Sequence, residues 1–305
     1  MNQFEKELTL AIETVKIATE ITKWFSNVGF KSFQKQDNSP VTLADYASQF
    51  FISFRISEYF PEDQIIAEET NEVNLTVNDL DMIKSCYDDL NIYIEMDLSP
   101  KKLKSERQWT VDPIDGTKGF QKHLSYAIGI GLMINSKPRI SIIGVPNFSE
   151  KGTAIFIAEK GSGAKVSYGG QPFSSIEASK QNTLSKSLMC HSLHYDEPWV
   201  MKFASEIDIT KFIQMDSMAK FCLIANGGAD IYIKPLNKER SFSWDFLPGT
   251  LLVSEAGGKV SDLNGNPLKF LDEKLILSTP GLIASNSHIH QEILRSMRKF
   301  NFGYK

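Results

Sequence analysis

The segment WTVDPIDGTKGF, Trp109 to Phe120, constrains this chain more than any other stretch. Val111 closes an apolar, strand-like run. Pro113 has no N–H to give a sheet, so a central strand is expected to stop there. Gly116 permits a positive φ or a close backbone approach. The expected order is strand, sharp turn, helix start. Such a turn aims Asp112 and Asp115 at one point, together with several unpaired backbone N–H groups. Hard divalent cations take oxygen ligands, and Mg²⁺ commonly uses a few carboxylates plus substrate phosphate. Helix N-termini attract anions. A cation site and an anion site in one short loop point to phosphate-ester chemistry. Asp-Pro and Asp-Gly are also common turn formers, so a turn with solvated acids is the plainer alternative.

The segment resembles the signature of the lithium-sensitive, magnesium-dependent phosphatases. That superfamily holds inositol monophosphatases, inositol polyphosphate 1-phosphatases, fructose bisphosphatases and 3'(2'),5'-bisphosphate nucleotidases. DPIDGTKGF is most similar to the nucleotidase branch, where Lys118, Gly119 and Phe120 also fit. SPVTLADYASQ (39–49) resembles the family's first motif and IIAEET (65–70) its second. SWDFLPGTLLVSEAGG (243–258), continued by VSDLNG (260–265), resembles its last.

The resemblance implies that Glu68, Asp112, Asp115 and Asp245, with the carbonyl of Ile114, hold about two or three Mg²⁺ once waters and substrate are counted. It implies that Asp45 and Thr117 orient and polarise the attacking water. The N–H groups of Gly116 and Thr117 would stabilise charge on the leaving oxygen. Hydrolysis would be direct and in line, with no covalent enzyme intermediate. Li⁺ would inhibit by taking one Mg²⁺ position, and Na⁺ to a varying degree. Each acid has a plainer alternative. Asp45 could complement a helix dipole, Glu68 could be a strand-end surface charge, and Asp245 could cap a helix beginning near Pro248. Glu69 is expected to stand behind Glu68.

Substrate choice is expected from the C-terminal half. MCHSLHYDE (189–197) resembles a nucleotidase segment that supplies His191 and Ser192, with Leu193 replacing a second serine. DSMAKFCLIANGGADIYIK (216–234) resembles the next and supplies Ser217 and Lys220 for a second phosphate and ribose. Lys234 falls where relatives often carry arginine, and loses the bidentate fork. Phe246, Leu247 and Pro248 replace a common His-Ala-Ala, and the 237–243 loop is short. The implied substrate is 3'-phosphoadenosine 5'-phosphate, giving AMP and phosphate, with its sulfated relative as a second candidate. An inositol polyphosphate 1-phosphatase or inositol monophosphatase is the nearest alternative. A non-catalytic nucleotide or metal sensor is a remote one.

Composition fits a globular enzyme. The 305 residues are 42% hydrophobic and 23% charged, with net charge −4. That balance argues against bulk nucleic-acid or anionic-membrane binding, and no obligate protein partner is implied. No apolar run approaches a membrane span, and the start lacks a secretory h-region. Cys86, Cys190 and Cys222 form no CxxC pair and read as buried thiols in a reducing, cytoplasmic setting.

Periodicity predicts a long N-terminal helix through Phe25, a loop over 34–40, a helix capped by Thr42, a strand over 64–67 and a helix over 77–90. The range 97–107 is expected to be loop. Strands are expected over 127–134, 140–145 and 153–159, with 135–139 as a connection containing Pro138. Glycines and Pro172 punctuate 161–172. Beyond residue 180 short strands and helices alternate, as in an α/β unit. A division into residues 1–180 (α+β) and 181–305 (α/β) follows. The family resemblance implies a layered αβαβα sandwich.

Overall fold

A computed structural model of the chain describes residues 3–69, 74–94, 104–192, 198–236, 241–276 and 278–300. Its first half runs α1 (Glu5–Val28), β1 (Ser32–Gln34), β2 (Pro40–Thr42), α2 (Leu43–Tyr59), β3 (Gln64–Ala67), α3 (Val77–Asp89), β4 (Arg107–Asp115), α4 (Thr117–Gln121), β5 (Ala127–Ile134), β6 (Lys137–Ser149), β7 (Gly152–Glu159), β8 (Gly163–Tyr168) and β9 (Ser174–Ile176). The second half runs β10 (Leu188–His191), α5 (Pro198–Glu206), β11 (Lys211–Gln214), α6 (Ala219–Ala225), β12 (Ile231–Pro235), α7 (Ser243–Glu255), β13 (Gly258–Asp262), β14 (Lys269–Leu271), β15 (Lys274–Ile276), β16 (Gly281–Asn286) and α8 (His290–Lys299).

Strands β3 to β9 form a seven-stranded sheet in sequence order, and β11-β10-β12-β16-β13 form a second sheet. Alternation along β5 shows how the first is covered. Ile128, Ile130 and Leu132 join the core under α1 and α2, while Ala127 and Met133 face the core shared with α6 and α7. In the second sheet Tyr232, Leu282 and Ala284 meet α6 and α7, whereas Ile231, Ile233 and Ile283 meet α5 and α8. Successive strand residues point to opposite faces, so both sheets bury both faces. The result is the αβαβα sandwich.

Two glycines set the central spacing. A Cβ on Gly131 would lie 2.4 Å from Leu247 Cδ2, and one on Gly129 would lie 2.6 Å from the Met218 side chain. Leu247 of α7 and the end of the Met218 side chain therefore lie against β5 so closely that a side chain at either glycine would force them to shift.

Several boundaries differ from expectation. Strand β4 does not end at Val111. It continues through Pro113 to Asp115, and a register shift between Asp112 and Asp115 absorbs the missing N–H. Pro138 belongs to β6, beside another register shift, and the turn is Asn135-Ser136 with φ of 51° and 60°. Two adjacent positive φ values give the turn that suits strand twist. Helix α7 starts at Ser243, not near Pro248. Pro248 thus stands beyond the first turn, where its ring lies against Gly129 and Gly131. Strands β8, β9 and β13 and the β14–β15 hairpin had no sequence expectation. Most of the 97–107 loop and residues 237–240 lie outside the described residues.

Candidate active site

The loop after β4 builds the floor. Gly116 has φ 92°, and a Cβ there would sit 3.1 Å from Ser217 Cβ. Gly119 is excluded from substitution more strongly, because a Cβ would fall 2.3 Å from the Ser125 carbonyl oxygen. The two glycines of GTKGF therefore serve a left-handed turn and a close backbone approach. Between them Thr117 starts α4, and its hydroxyl lies 3.3 Å from both Asp45 Oδ1 and the Ile114 carbonyl.

Asp45 is fixed from its other side. It is the third residue of α2, in a capping box whose Thr42 N–H and hydroxyl donate to Asp45 Oδ2 at 2.8 and 2.6 Å. The cap and the contact with Thr117 coexist, one on each carboxylate oxygen. Glu68 arrives by β-pairing. Its N–H donates to the Val111 carbonyl at 3.0 Å and extends the parallel β3–β4 ladder. Gln49 then clamps the Glu69 backbone through both amide atoms, at 2.6 and 2.8 Å.

Asp112, Asp115 and Asp245 converge, each offering a carboxylate oxygen within 4.8 Å of the others. Asp112 is wholly buried, and neither of its oxygens has a hydrogen-bond partner. Two unit charges at that separation repel by about 3 kcal/mol at an effective dielectric near 20. Burial first, then the neighbouring carboxylates, raises the pKa of Asp112 and Asp245 well above the carboxylate range. Burial raises Asp115 to about 6, opposed by Lys220 and the Met218 N–H, which donates to Asp115 Oδ2. Burial raises Asp45 to about 7 against its two Thr42 bonds. Such a cluster is unstable as bare anions. Oxygen-only donors with an orphaned, fully buried carboxylate fit a hard divalent cation.

A cavity of about 1,090 Å³ opens over these groups. It is lined by Glu68, Asp112, Ile114, Asp115, Gly116, Thr117 and Asp245, and also by Ser192, Ser217, Lys220 and Lys234. Asp45 lies behind Thr117, fully buried. Lys220 is also buried, with Nζ 5.3 Å from the Tyr232 ring centroid. Burial and then Lys234 lower its pKa to about 8. Next to the cavity-lining Ser192, the His191 ring meets Phe212 edge-on at 5.8 Å. His191 ends β10, whose pairing with β11 sets the ring beside Phe212.

Lys35, absent from the sequence expectations, enters the site from the β1–β2 hairpin. Its Nζ lies 2.8 Å from both Glu68 Oε1 and Glu69 Oε1. Burial opposes the charge, but the two glutamates hold the ammonium well above the usual lysine value. A lone lysine in the polar stretch QKQDNS carries no sequence signal for this.

The chain matches the description "Inositol monophosphatase family" over residues 4–301. It belongs to that family. Family members of similar sequence include a 3'(2'),5'-bisphosphate nucleotidase 2 of Candida albicans, 30% identical over 95% of this chain and 96% of that one. The 3'(2'),5'-bisphosphate nucleotidase of Schizosaccharomyces pombe is 30% identical over 96% and 95%. Among solved structures, an inositol monophosphatase from Anabaena superposes with a TM-score of 0.69 at 22% identity, covering 98% of both chains. The extragenic suppressor protein SuhB of Bartonella henselae gives 0.72 at 19% identity, covering 97% and 100%. At such identity these two structures speak to the inositol monophosphatase fold alone.

Proposed function

We propose that this chain is a magnesium-dependent 3'(2'),5'-bisphosphate nucleotidase that removes the 3'-phosphate of 3'-phosphoadenosine 5'-phosphate. The observation that carries the cation site is Asp112, a buried carboxylate with two unpartnered oxygens amid other acids. The names borne by the relatives in fungi and plants support the substrate.

Glu68, Asp112, Asp115, Asp245 and the Ile114 carbonyl would hold about two or three Mg²⁺. Bound there, the ions would activate a water as nucleophile and offset charge on the entering and leaving oxygens. The chain's own groups do the rest. The Thr117 hydroxyl, held by Asp45, orients the attacking water, and Asp45 stands ready to take a proton through it. The Gly116 and Thr117 N–H groups face the phosphate. Lys220 and Lys234, with Ser217 and Ser192, line the same cavity and would meet the second phosphate and the ribose. Li⁺, and Na⁺ to a varying degree, would compete for the same acids. The division at residue 180 assigns the floor to the first unit and Asp245 with the lysines to the second. A cytoplasmic location accords with Cys86, Cys190 and Cys222 as buried thiols. Among the described residues no helix is long and apolar enough to cross a membrane.

The test is kcat/KM with Mg²⁺ on 3'-phosphoadenosine 5'-phosphate against inositol 1,4-bisphosphate. Preference for the nucleotide is expected. Faster turnover of the inositol ester would reverse the assignment, and binding of nucleotide without phosphate release would make the protein a sensor.

A further inference from the structure

Helix α7 presents Asp245 from its first turn, yet the helix has no side-chain cap. Its N-cap residue is Phe242, which offers no acceptor oxygen. Helix ends of this kind leave their first N–H groups unpaired and the entry angle free. Here the β14–β15 hairpin takes the first N–H of the helix and fixes the path of the chain into it. The Ser243 N–H donates to the Glu273 carbonyl at 2.8 Å, and the Leu275 N–H donates to the Ser241 carbonyl at 3.0 Å. These bonds flank an isolated antiparallel bridge between Phe242 and Lys274. The Ser243 hydroxyl adds a bond of 2.7 Å to the Asp272 carbonyl. Lys274 Nζ covers the Phe242 ring at 4.1 Å, and that ring stacks on Trp244 at 4.6 Å.

The hairpin is itself tied to the strand that carries the other acids. Asp272 Oδ1 accepts from Gln108 Nε2 at 2.7 Å, and Gln108 lies on β4, ahead of Asp112 and Asp115. Asp272 has φ 47°, the left-handed conformation in which both bonds are made at once. A chain of bonds therefore runs from β4 through Gln108, Asp272 and Ser243 to the turn bearing Asp245, without passing through any cation.

We propose that the β14–β15 hairpin is a jig that holds Asp245 at cation-binding distance from Asp112 and Asp115, with Asp272 as its positioning residue. This rests on Asp245 being a cation ligand. Three mutually repelling carboxylates drift apart unless their backbones are restrained, and every ångström of drift must be recovered when the ion binds. The jig makes that correction in advance.

Isothermal titration of the metal-free protein with MgCl₂ tests it, alongside kcat and KM. Asp272→Gly tolerates the positive φ and deletes the carboxylate. It is expected to weaken Mg²⁺ binding by about tenfold, as loss of a ligand-orienting partner does. At limiting Mg²⁺, kcat should fall with KM for the nucleotide unchanged, and excess Mg²⁺ should restore it. Asp272→Asn keeps the acceptor and should bind Mg²⁺ as the parent does. Ser243→Ala breaks the next link by an independent route and should show the same weakening, so it decides the matter should Asp272→Gly fail to fold. A lowered Tm with unchanged Mg²⁺ affinity in both loss variants overturns the jig. Asp245→Asn is the reference: parental Mg²⁺ affinity in that variant removes the ligand assignment itself, and the jig with it.

Discussion

The Lys35 ammonium sits 2.8 Å from Glu68, inside the acidic cavity, and makes an equal contact with Glu69. A cation of the chain's own thus shares a carboxylate expected to bind metal. It offsets part of the repulsion that the cluster would otherwise carry, and it reaches Glu69 where that side chain is almost fully buried.

Lys35→Gln should therefore weaken the metal-free protein. Removing one partner from a buried ion pair leaves the other uncompensated, at a cost of about 3–5 kcal/mol, with the lower end expected here because the Glu68 side chain is a quarter exposed. Thermal unfolding at pH 8 without metal checks this, and Mg²⁺ should recover most of the lost Tm. An unchanged metal-free Tm would show that the contact is idle.

Asp112→Asn should abolish the rise in Tm produced by Mg²⁺ and reduce kcat by at least about a thousandfold, since charge stabilisation on the phosphate depends on the ions. Asp115→Asn should behave alike. Wild-type turnover in either variant would remove that residue from the ligand set.

Stability should respond to pH differently with and without metal. Asp115 and Asp45 have folded pKa values raised to about 6 and about 7, above their unfolded values. A carboxyl raised in this way binds more protons folded than unfolded, so stability falls as pH rises from about 4 through those values. The metal-free protein should lose Tm between pH 5 and 8. Saturating Mg²⁺, which binds the deprotonated acids, should flatten or reverse the slope. Parallel pH profiles with and without Mg²⁺ would contradict the placement of the ions.

Lys220→Ala should raise KM for the bisphosphate by about tenfold or more, the loss of one charge-assisted contact, and leave a simple phosphate monoester nearly unaffected. Equal effects on both substrates would take Lys220 out of the recognition of the second phosphate.

Gly131→Ala should destabilise by about 1–3 kcal/mol through overpacking, because its methyl group meets Leu247 at 2.4 Å and the Thr110 hydroxyl at 2.8 Å. Denaturant midpoints measure it. A variant as stable as the parent would mean that α7 can retreat from β5 without loss.

The sequence was most legible where one short segment carries its own geometry. DPIDGT contains its turn glycine, its helix start and two of the three converging acids, and Thr42 announces the helix that fixes Asp45. The register shift that lets β4 run past Pro113 could not be read, because it depends on pairing with β5. Nor could the true start of α7. Phe242 looks nothing like a cap, and the groups that take a cap's place belong to a hairpin some thirty residues later. The contact of the His191 ring with Phe212 was equally hidden, because it depends on the β10–β11 pairing. Lys35 was silent for a like reason: its partners are brought to it only by the β3–β4 ladder.

Asp112 and Asp115 lie on β4 of one sheet, while Asp245 comes from α7, between the two sheets. A ribosome delivers these residues more than a hundred positions apart. A nascent chain that has released only the first sheet owns Glu68, Asp112 and Asp115 but not Asp245. The full set of converging acids thus arrives late in synthesis, completed only when α7 is made.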